Sequence, residues 1–198
     1  MKKPLHLIYV PGILDDIYHV QSVAVATWRL HGVEGHCHEI PWAGPEAWQP
    51  KFERLLAKID QLTAQGYAVG LVGASAGASA VLNAYAERPD QITGVVYICA
   101  KINASQTVSS KTYADNPAFK TSLAQLQKNL TRFSSADKAK MLSLYSPADK
   151  SVPHSATVIP GVQEQQLPAL SHSKAILYSL TPGASIVIGF FKRQREVK

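Results

Sequence analysis

Residues 67–89 read Tyr67-Ala-Val-Gly-Leu-Val-Gly-Ala-Ser-Ala-Gly-Ala-Ser-Ala-Val-Leu-Asn-Ala-Tyr-Ala-Glu-Arg-Pro89. Three segments follow one another here. Tyr67 to Val72 is a short apolar run of the kind that forms a buried parallel strand. Gly73-Ala-Ser-Ala-Gly77 is a turn of small residues. Ala78 to Glu87 is rich in helix formers and stops before Pro89, where a helix cannot continue. Strand, G-x-S-x-G turn and helix together make the nucleophile-elbow pattern. A serine on such a sharp, strained turn has its hydroxyl lifted clear of the sheet. Gly73 and Gly77 leave room where strand and helix nearly collide. The helix N-terminus behind Ser75 offers unpaired N–H groups and partial positive charge to a developing anion. Taken alone, the same five residues also describe a tight turn in any α/β protein, so the rest of the chain has to supply chemical partners.

The composition sets the frame for those partners. The chain has 198 residues, 46% hydrophobic and 17% charged, which suits one globular domain with a full core. No apolar run is long enough to span a bilayer. Lys2 and Lys3 before an apolar stretch resemble a signal peptide, but Pro4, Pro11, Gly12 and Asp15-Asp16 break that pattern and favour a first strand. Cys37 and Cys99 lie in strand-like segments outside any C-x-x-C arrangement, and read as two buried free thiols of a cytoplasmic protein. The net charge is +6. Its only local cluster, Lys192-Arg-Gln-Arg195 with Lys198, carries no interleaved aromatic residues and no nucleic-acid motif. It reads as a solvated helix end whose cations suit the dipole.

Along the chain, apolar runs predict strands at Leu5–Val10, His36–Ile40, Tyr67–Val72, Ile92–Cys99, Met141–Ser146 and Gln163–Leu167. Helical spacing predicts helices at Tyr18–Leu30, Glu46–Gln65, Ala78–Glu87, Pro117–Arg132, Lys174–Leu180 and Ala184–Arg193, with Gly32 and Gly66 as stops. Alternating strands and helices imply a three-layer α/β/α sandwich with a mostly parallel central sheet. One segment breaks the rhythm: residues 103–140 exceed an ordinary connection. We read it as a small lid over the carboxyl edge of the sheet, where ligands bind in open α/β folds. An ordinary crossover helix with a long leader is the competing reading.

A serine hydroxyl is a poor nucleophile at neutral pH and needs an adjacent base, usually a histidine oriented by a carboxylate. Met141-Leu-Ser-Leu-Tyr-Ser-Pro-Ala-Asp149-Lys-Ser-Val-Pro153 places Asp149 just past a strand end, and Leu167-Pro-Ala-Leu-Ser-His172-Ser-Lys174 places His172 in a loop before a helix. The order Ser75, Asp149, His172 matches the elbow pattern. In these motifs the chain resembles the α/β-hydrolase superfamily, in its small form with little or no cap, from Leu5 to the last helix. The resemblance implies that Ser75 is the nucleophile, His172 the general base and acid, and Asp149 the orienting acid. The acid-loop run Ser146-Pro-Ala-Asp-Lys-Ser-Val-Pro153 matches closely; Ser171 stands where the family often has glycine. It also implies an oxyanion hole made by the backbone N–H groups of Ile13 and Ala76, with Pro11 replacing the histidine the family often has in that turn.

Other titratable residues compete for these roles. His154 shares the acid's loop and reads as a rim residue. His36 and His38 share a strand face, but two ligands without a third make a poor zinc site, so no metal and no cofactor is expected. Asp16, Tyr18 and His19 follow the oxyanion turn and are candidates for the pocket wall, or simply a helix cap and first turn. Asp115, Asp137 and Glu164 are rival acids in less suitable places. The leading function is a serine hydrolase of carboxylic esters or thioesters acting on a small molecule. Acyl transfer at the same site, and a non-catalytic binding protein that retains the fold, are the alternatives.

Overall fold

The computed structural model describes residues 3–13, 18–102 and 108–196. Six strands, β1 (Leu5–Val10), β2 (Glu34–Cys37), β3 (Ala68–Ala74), β4 (Ile92–Ile98), β5 (Met141–Tyr145) and β6 (Gln163–Gln166), form one sheet in the order β2-β1-β3-β4-β5-β6. Every pairing is parallel, so all carboxyl ends lie along one edge. Parallel neighbours need a long crossover: helices supply it from β1 to β5, and a loop with one 3₁₀ turn, His154–Ala156, links β5 to β6. The central strands are apolar on both faces. Ile8, Val10, Val69, Leu71, Val95 and Tyr97 face one core. Leu7, Tyr9, Val72, Ala74, Val96 and Ile98 face the other.

Helices α2 (Trp48–Ala64), α3 (Gly77–Glu87) and α5 (Pro117–Leu130) cover the first face. Helices α1 (Tyr18–Ala26), α7 (His172–Leu180) and α8 (Ala184–Gln194) cover the second. Among the described residues, no single helix is long and apolar enough to cross a membrane. Three elements differ from expectation. α7 starts at His172, not Lys174, so that histidine opens the helix instead of preceding it in a loop. α1 ends at Ala26 and tightens into a 3₁₀ turn, Thr27–His31, before Gly32 at φ 73°. β2 starts at Glu34, not His36, because pairing to β1 begins as soon as Gly32 has turned the chain, with His6 opposite Glu34. Glu34 and Gly35 are weak strand formers, so the pattern concealed them.

The segment after β4 carries α4 (Ser110–Asp115), α5 and the short α6 (Ser135–Lys138). The expected apolar stripe of α5, with Phe119, Leu123 and Leu126, packs into the first core. A buried polar seam also fixes α5 to α3. Ser79 Oγ lies 2.7 Å from Ser122 Oγ, Asn83 Nδ2 donates to the Ser122 carbonyl at 2.9 Å, and Asn129 Nδ2 donates to Asn83 Oδ1 at 3.0 Å. These groups are out of water, so losing one partner leaves another unsatisfied. Asn83→Ala is therefore expected to cost about 1–3 kcal/mol in urea unfolding. A loss within about 0.5 kcal/mol, typical of a surface change, would mean the seam does not hold α5.

Candidate active site

β3 ends at Ala74 and α3 begins at Gly77, so the chain reverses within two residues. Ser75 absorbs the turn at φ 51°, in the left-handed region that a residue with a Cβ occupies at a cost of order 1–3 kcal/mol. Its N–H donates to the Ile98 carbonyl at the end of β4 at 2.9 Å, and its carbonyl accepts from Ala78 N–H at 3.2 Å. A side chain at Gly73 would lie 2.7 Å from Ala78 Cα, and one at Gly77 would lie 2.6 Å from the Pro11 carbonyl oxygen. Both positions admit glycine alone. The Pro11–Ile13 turn is equally close: a Cβ at Gly12 would sit 2.9 Å from Ser75 Cβ. Trp42, whose indole N–H donates to the Pro11 carbonyl at 3.3 Å, holds that turn from behind.

Ser75, His172 and Asp149 come together at the carboxyl edge. Ser75 Oγ lies 3.1 Å from His172 Nε2, and His172 Nδ1 lies 2.7 Å from Asp149 Oδ2. Asp149 Oδ1 accepts from the backbone N–H groups of Ser151 and Val152, each at 2.9 Å. Burial alone would push the Asp149 carboxyl up, but the bonds from His172, Val152 and Ser151 outweigh it and hold the group below its ordinary value. An ionised carboxylate can only accept, so Nδ1 carries the imidazole proton and Nε2 is left to accept from the Ser75 hydroxyl. The Asp149 side chain is 1% exposed and that of His172 14% exposed, so the relay is shielded up to the serine.

Ser146 fixes the spacing between the Asp149 and His172 loops. Its hydroxyl donates to the Leu170 carbonyl at 2.6 Å and accepts from Leu170 N–H at 2.9 Å. It thereby ties the end of β5, which leads to Asp149, to the loop that leads to His172. Sequence reasoning passed over this residue. A serine before a proline carries no local signal of a bond 24 positions away.

Two cavities meet at Ser75. The smaller, about 60 Å³, is lined by Gly12, Ile13, Gln21, His172, Ser173 and Ile176 beside the serine. The larger, about 300 Å³, runs past Ile13, Ala76 and His172 to Lys101, Thr112 and Val152. Ile13 borders both, and Ala76 starts the helix behind the serine. Of the three expected wall residues, Asp16 lies outside the described residues. Tyr18 is half-buried and His19 is exposed; neither lines these cavities. Gln21 lines the smaller cavity instead, buried and fixed by a 2.8 Å bond from the Tyr9 hydroxyl. It shares its helical stripe with Ala24 and Val25, and that spacing was a usable signal.

The rivals have other partners. His154 Nε2 lies 3.0 Å from Glu164 Oε1 at the sheet edge, so a rejected base and a rejected acid pair with each other. Asp137 caps α6 and accepts from the Tyr85 hydroxyl, and Asp115 pairs with Lys111. Both cysteines are free thiols, Cys99 buried and Cys37 half-buried rather than buried. Among the described residues, the donor atoms of Cys99, Asp149 and His172 alone cluster as three metal ligands would, within 4.8 Å. Burial and the Asp149 charge push the Cys99 thiol up to about 12, and Asp149 and His172 are already bonded. A site that needs a thiolate does not suit that environment.

His36 has found His6 as partner, with Nε2 and Nδ1 2.8 Å apart. His38 stands apart from them chemically: burial, then the charges of Arg54 and Lys58, push it down to about 4. A lowered folded-state value means the unfolded chain takes the proton first. Stability should therefore be lost as pH falls from about 6.5, the ordinary histidine value, toward that lower one. The thermal midpoint is expected to drop from pH 7 to pH 5, and His38→Gln to flatten that drop. An unchanged slope in the variant would remove His38 from the account.

No family model matches the chain, and no curated protein matches it by sequence. Solved structures do. Est1E from Butyrivibrio proteoclasticus is 16% identical with a TM-score of 0.69, covering 100% of this chain and 90% of its own. A metagenome-derived lipolytic enzyme of the LipS and LipT study is 12% identical with a TM-score of 0.68, over 98% and 95%. The monoacylglycerol lipase of Paleococcus ferrophilus is 14% identical with a TM-score of 0.59, over 100% and 97%. Over nearly its whole length, this chain has the α/β-hydrolase fold, in a small form built on one six-stranded parallel sheet.

Proposed function

We propose that the protein is a serine hydrolase of small carboxylic esters or thioesters. The observation that carries this reading is the Ser75–His172–Asp149 relay, 3.1 and 2.7 Å between partners, beginning on a strained serine at the carboxyl edge. A binding protein has no need of a desolvated relay in the one order that activates an alcohol. Fold neighbours named as lipases and esterases make the same reaction class natural.

In this mechanism Ser75 Oγ attacks the carbonyl carbon while its proton passes to His172 Nε2. The oxyanion is held by the backbone N–H groups of Ile13 and Ala76, whose positions beside Ser75 suit that role. The C–O or C–S bond then breaks, and His172 returns the proton to the leaving alkoxide or thiolate. Water, deprotonated by His172, hydrolyses the acyl-serine and regenerates the site. Asp149 stays ionised and supports the transient imidazolium. No cofactor enters. We assign the lid role expected for residues 103–140 to the part around α4, since Val108, Ser109 and Thr112 border the larger cavity while α5 is packed in the core. We place the enzyme in the cytoplasm on its two unpaired thiols.

Ser75→Ala is expected to lower kcat by roughly 10⁴-fold or more and to abolish fluorophosphonate labelling, with the fold intact. His172→Ala should be as damaging and His154→Ala mild. Full activity in purified Ser75→Ala, or collapse in His154→Ala alone, would unseat the assignment. Chain length gives a second test. Each buried methylene is worth about 0.8 kcal/mol, so a long apolar groove would raise kcat/KM steeply with acyl length. Neither cavity is such a groove, and kcat/KM for 4-nitrophenyl esters should peak at about two to six carbons. A maximum at about twelve carbons or beyond would reveal an acyl channel and overturn the short-chain reading.

A further inference from the structure

We propose that the smaller cavity receives a short group bearing a hydrogen-bond acceptor, and that Gln21 is the specificity residue whose amide donates to it. The inference rests on the hydrolase reading and names the substrate class for it: esters with an ether, hydroxyl or carbonyl oxygen close to the ester bond. Gln21 is 3% exposed and stands on the cavity wall beside Ser75 and His172, with Ile13 and Ile176 as apolar surface. Ser173, also on that wall, is exposed, so Gln21 is the buried polar side chain there that the relay does not use. At about 60 Å³ the cavity holds about four water-sized groups, which limits it to a short substituent.

The orientation of the amide follows from its partner. Tyr9 is wholly buried in the second core, and among the described residues its hydroxyl has one hydrogen-bond partner, Gln21 Oε1 at 2.8 Å. A phenol buried among apolar side chains needs an acceptor for its proton. Turning the amide round would set its NH₂ group against Tyr9 and leave that proton without one. Oε1 therefore faces Tyr9, and Nε2 is the end left over. Nε2 has no hydrogen-bond partner among the described residues, yet it is not sealed in: the fully enclosed side-chain atoms without a partner are the Tyr97 and Ser143 hydroxyls. Open surface on so deeply buried a side chain, at a cavity wall, faces that cavity. The donor is also held in place. Ala24 and Val25, on the same stripe of α1, pack into the second core, and the Tyr9 bond fixes the rotation of the amide. A substrate oxygen pairs this donor, whereas an alkyl group displaces water and leaves it unsatisfied.

The acceptor can sit on the acyl side or on the leaving-group side, and paired probes of equal length separate the two. On the acyl side, 4-nitrophenyl methoxyacetate is compared with 4-nitrophenyl butyrate. On the leaving-group side, 2-methoxyethyl acetate is compared with butyl acetate. In each pair an oxygen replaces a methylene and little else changes. Each kcat/KM is divided by the probe's uncatalysed hydroxide rate, and the ether-to-alkyl ratio is the readout. We expect about a fivefold ratio or more in one pair, as when an alkyl group leaves a buried donor unpaired. Gln21→Met keeps the length of the side chain but cannot donate, and should bring that ratio to about one or below. A glutamine that served only to satisfy Tyr9 would slow both members of a pair alike and leave the ratio where it was. Where loss of the Tyr9 partner unfolds the single variant, Tyr9→Phe with Gln21→Met removes both polar groups together and gives the same readout. No ether preference in either pair, or a preference that survives loss of the Gln21 amide, overturns the inference. Equal corrected rates within both pairs, with fluorophosphonate labelling intact, would sink this inference alone. Failure on all four probes, with no fluorophosphonate labelling, would sink the hydrolase reading itself.

Discussion

The left-handed backbone at Ser75 is the constraint that the rest of the site accommodates. Such a conformation costs of order 1–3 kcal/mol in a protein whose whole stability is typically 5–15 kcal/mol. It persists because β3 is a central strand, bonded along its length to β1 on one side and β4 on the other. The bond from Ser75 N–H to Ile98 extends that ladder one residue into the turn. On the other side Gly12 and Gly77 bring the end of β1 against the elbow. The ends of β1, β3 and β4 therefore meet at one residue. An edge strand, free on one side, would have relaxed the same turn.

The second strained residue lies next door. Cys99, at φ 48°, ends β4 as Ser75 ends β3, and its buried thiol sits within 4.8 Å of the donor atoms of Asp149 and His172. Crowding at the carboxyl edge thus surrounds the acid as well as the serine. Asp149 is buried at little cost because three donors converge on it: two backbone N–H groups and the imidazole. The two left-handed residues and the Asp149 carboxylate lie together at one edge of the sheet.

What could be read from the sequence was what chemistry forces into residue types. The elbow needs glycines, the relay needs Ser, Asp and His in a workable order, and strands buried on both faces need unbroken apolar runs. What could not be read depended on partners remote in sequence. Ser146 acts through Leu170, Trp42 through Pro11, and β2 takes its register from β1 against its own weak propensities. Residues 103–140 illustrate the limit well. A lid helix and a core-packing helix both show one apolar stripe, and Phe119, Leu123 and Leu126 supply it here. The features that separate the two are Ser122 and Asn129, polar residues buried against Ser79 and Asn83, and their pairing exists only once α3 and α5 are in place. Proximity in sequence also misled: Tyr18 and His19 come soon after the Pro11–Ile13 turn, yet the helix carries Gln21, not them, to the cavity.

The walls above Ser75 come from strand-end loops together with single helix residues, Gln21 of α1, Thr112 of α4, Phe119 of α5 and Ile176 of α7. Ile13 follows β1, Lys101 follows β4, Ser151 and Val152 follow β5, and His172 follows β6. Each loop gives the cavity one or two side chains, while its flanking strand is fixed by both cores. Substitution at such a position changes the cavity's charge or shape without removing apolar burial, so it is energetically cheap to vary. The fold neighbours fit that division. TM-scores of 0.59 to 0.69 at 12–16% identity mean that layer packing has been kept while nearly every individual residue has changed.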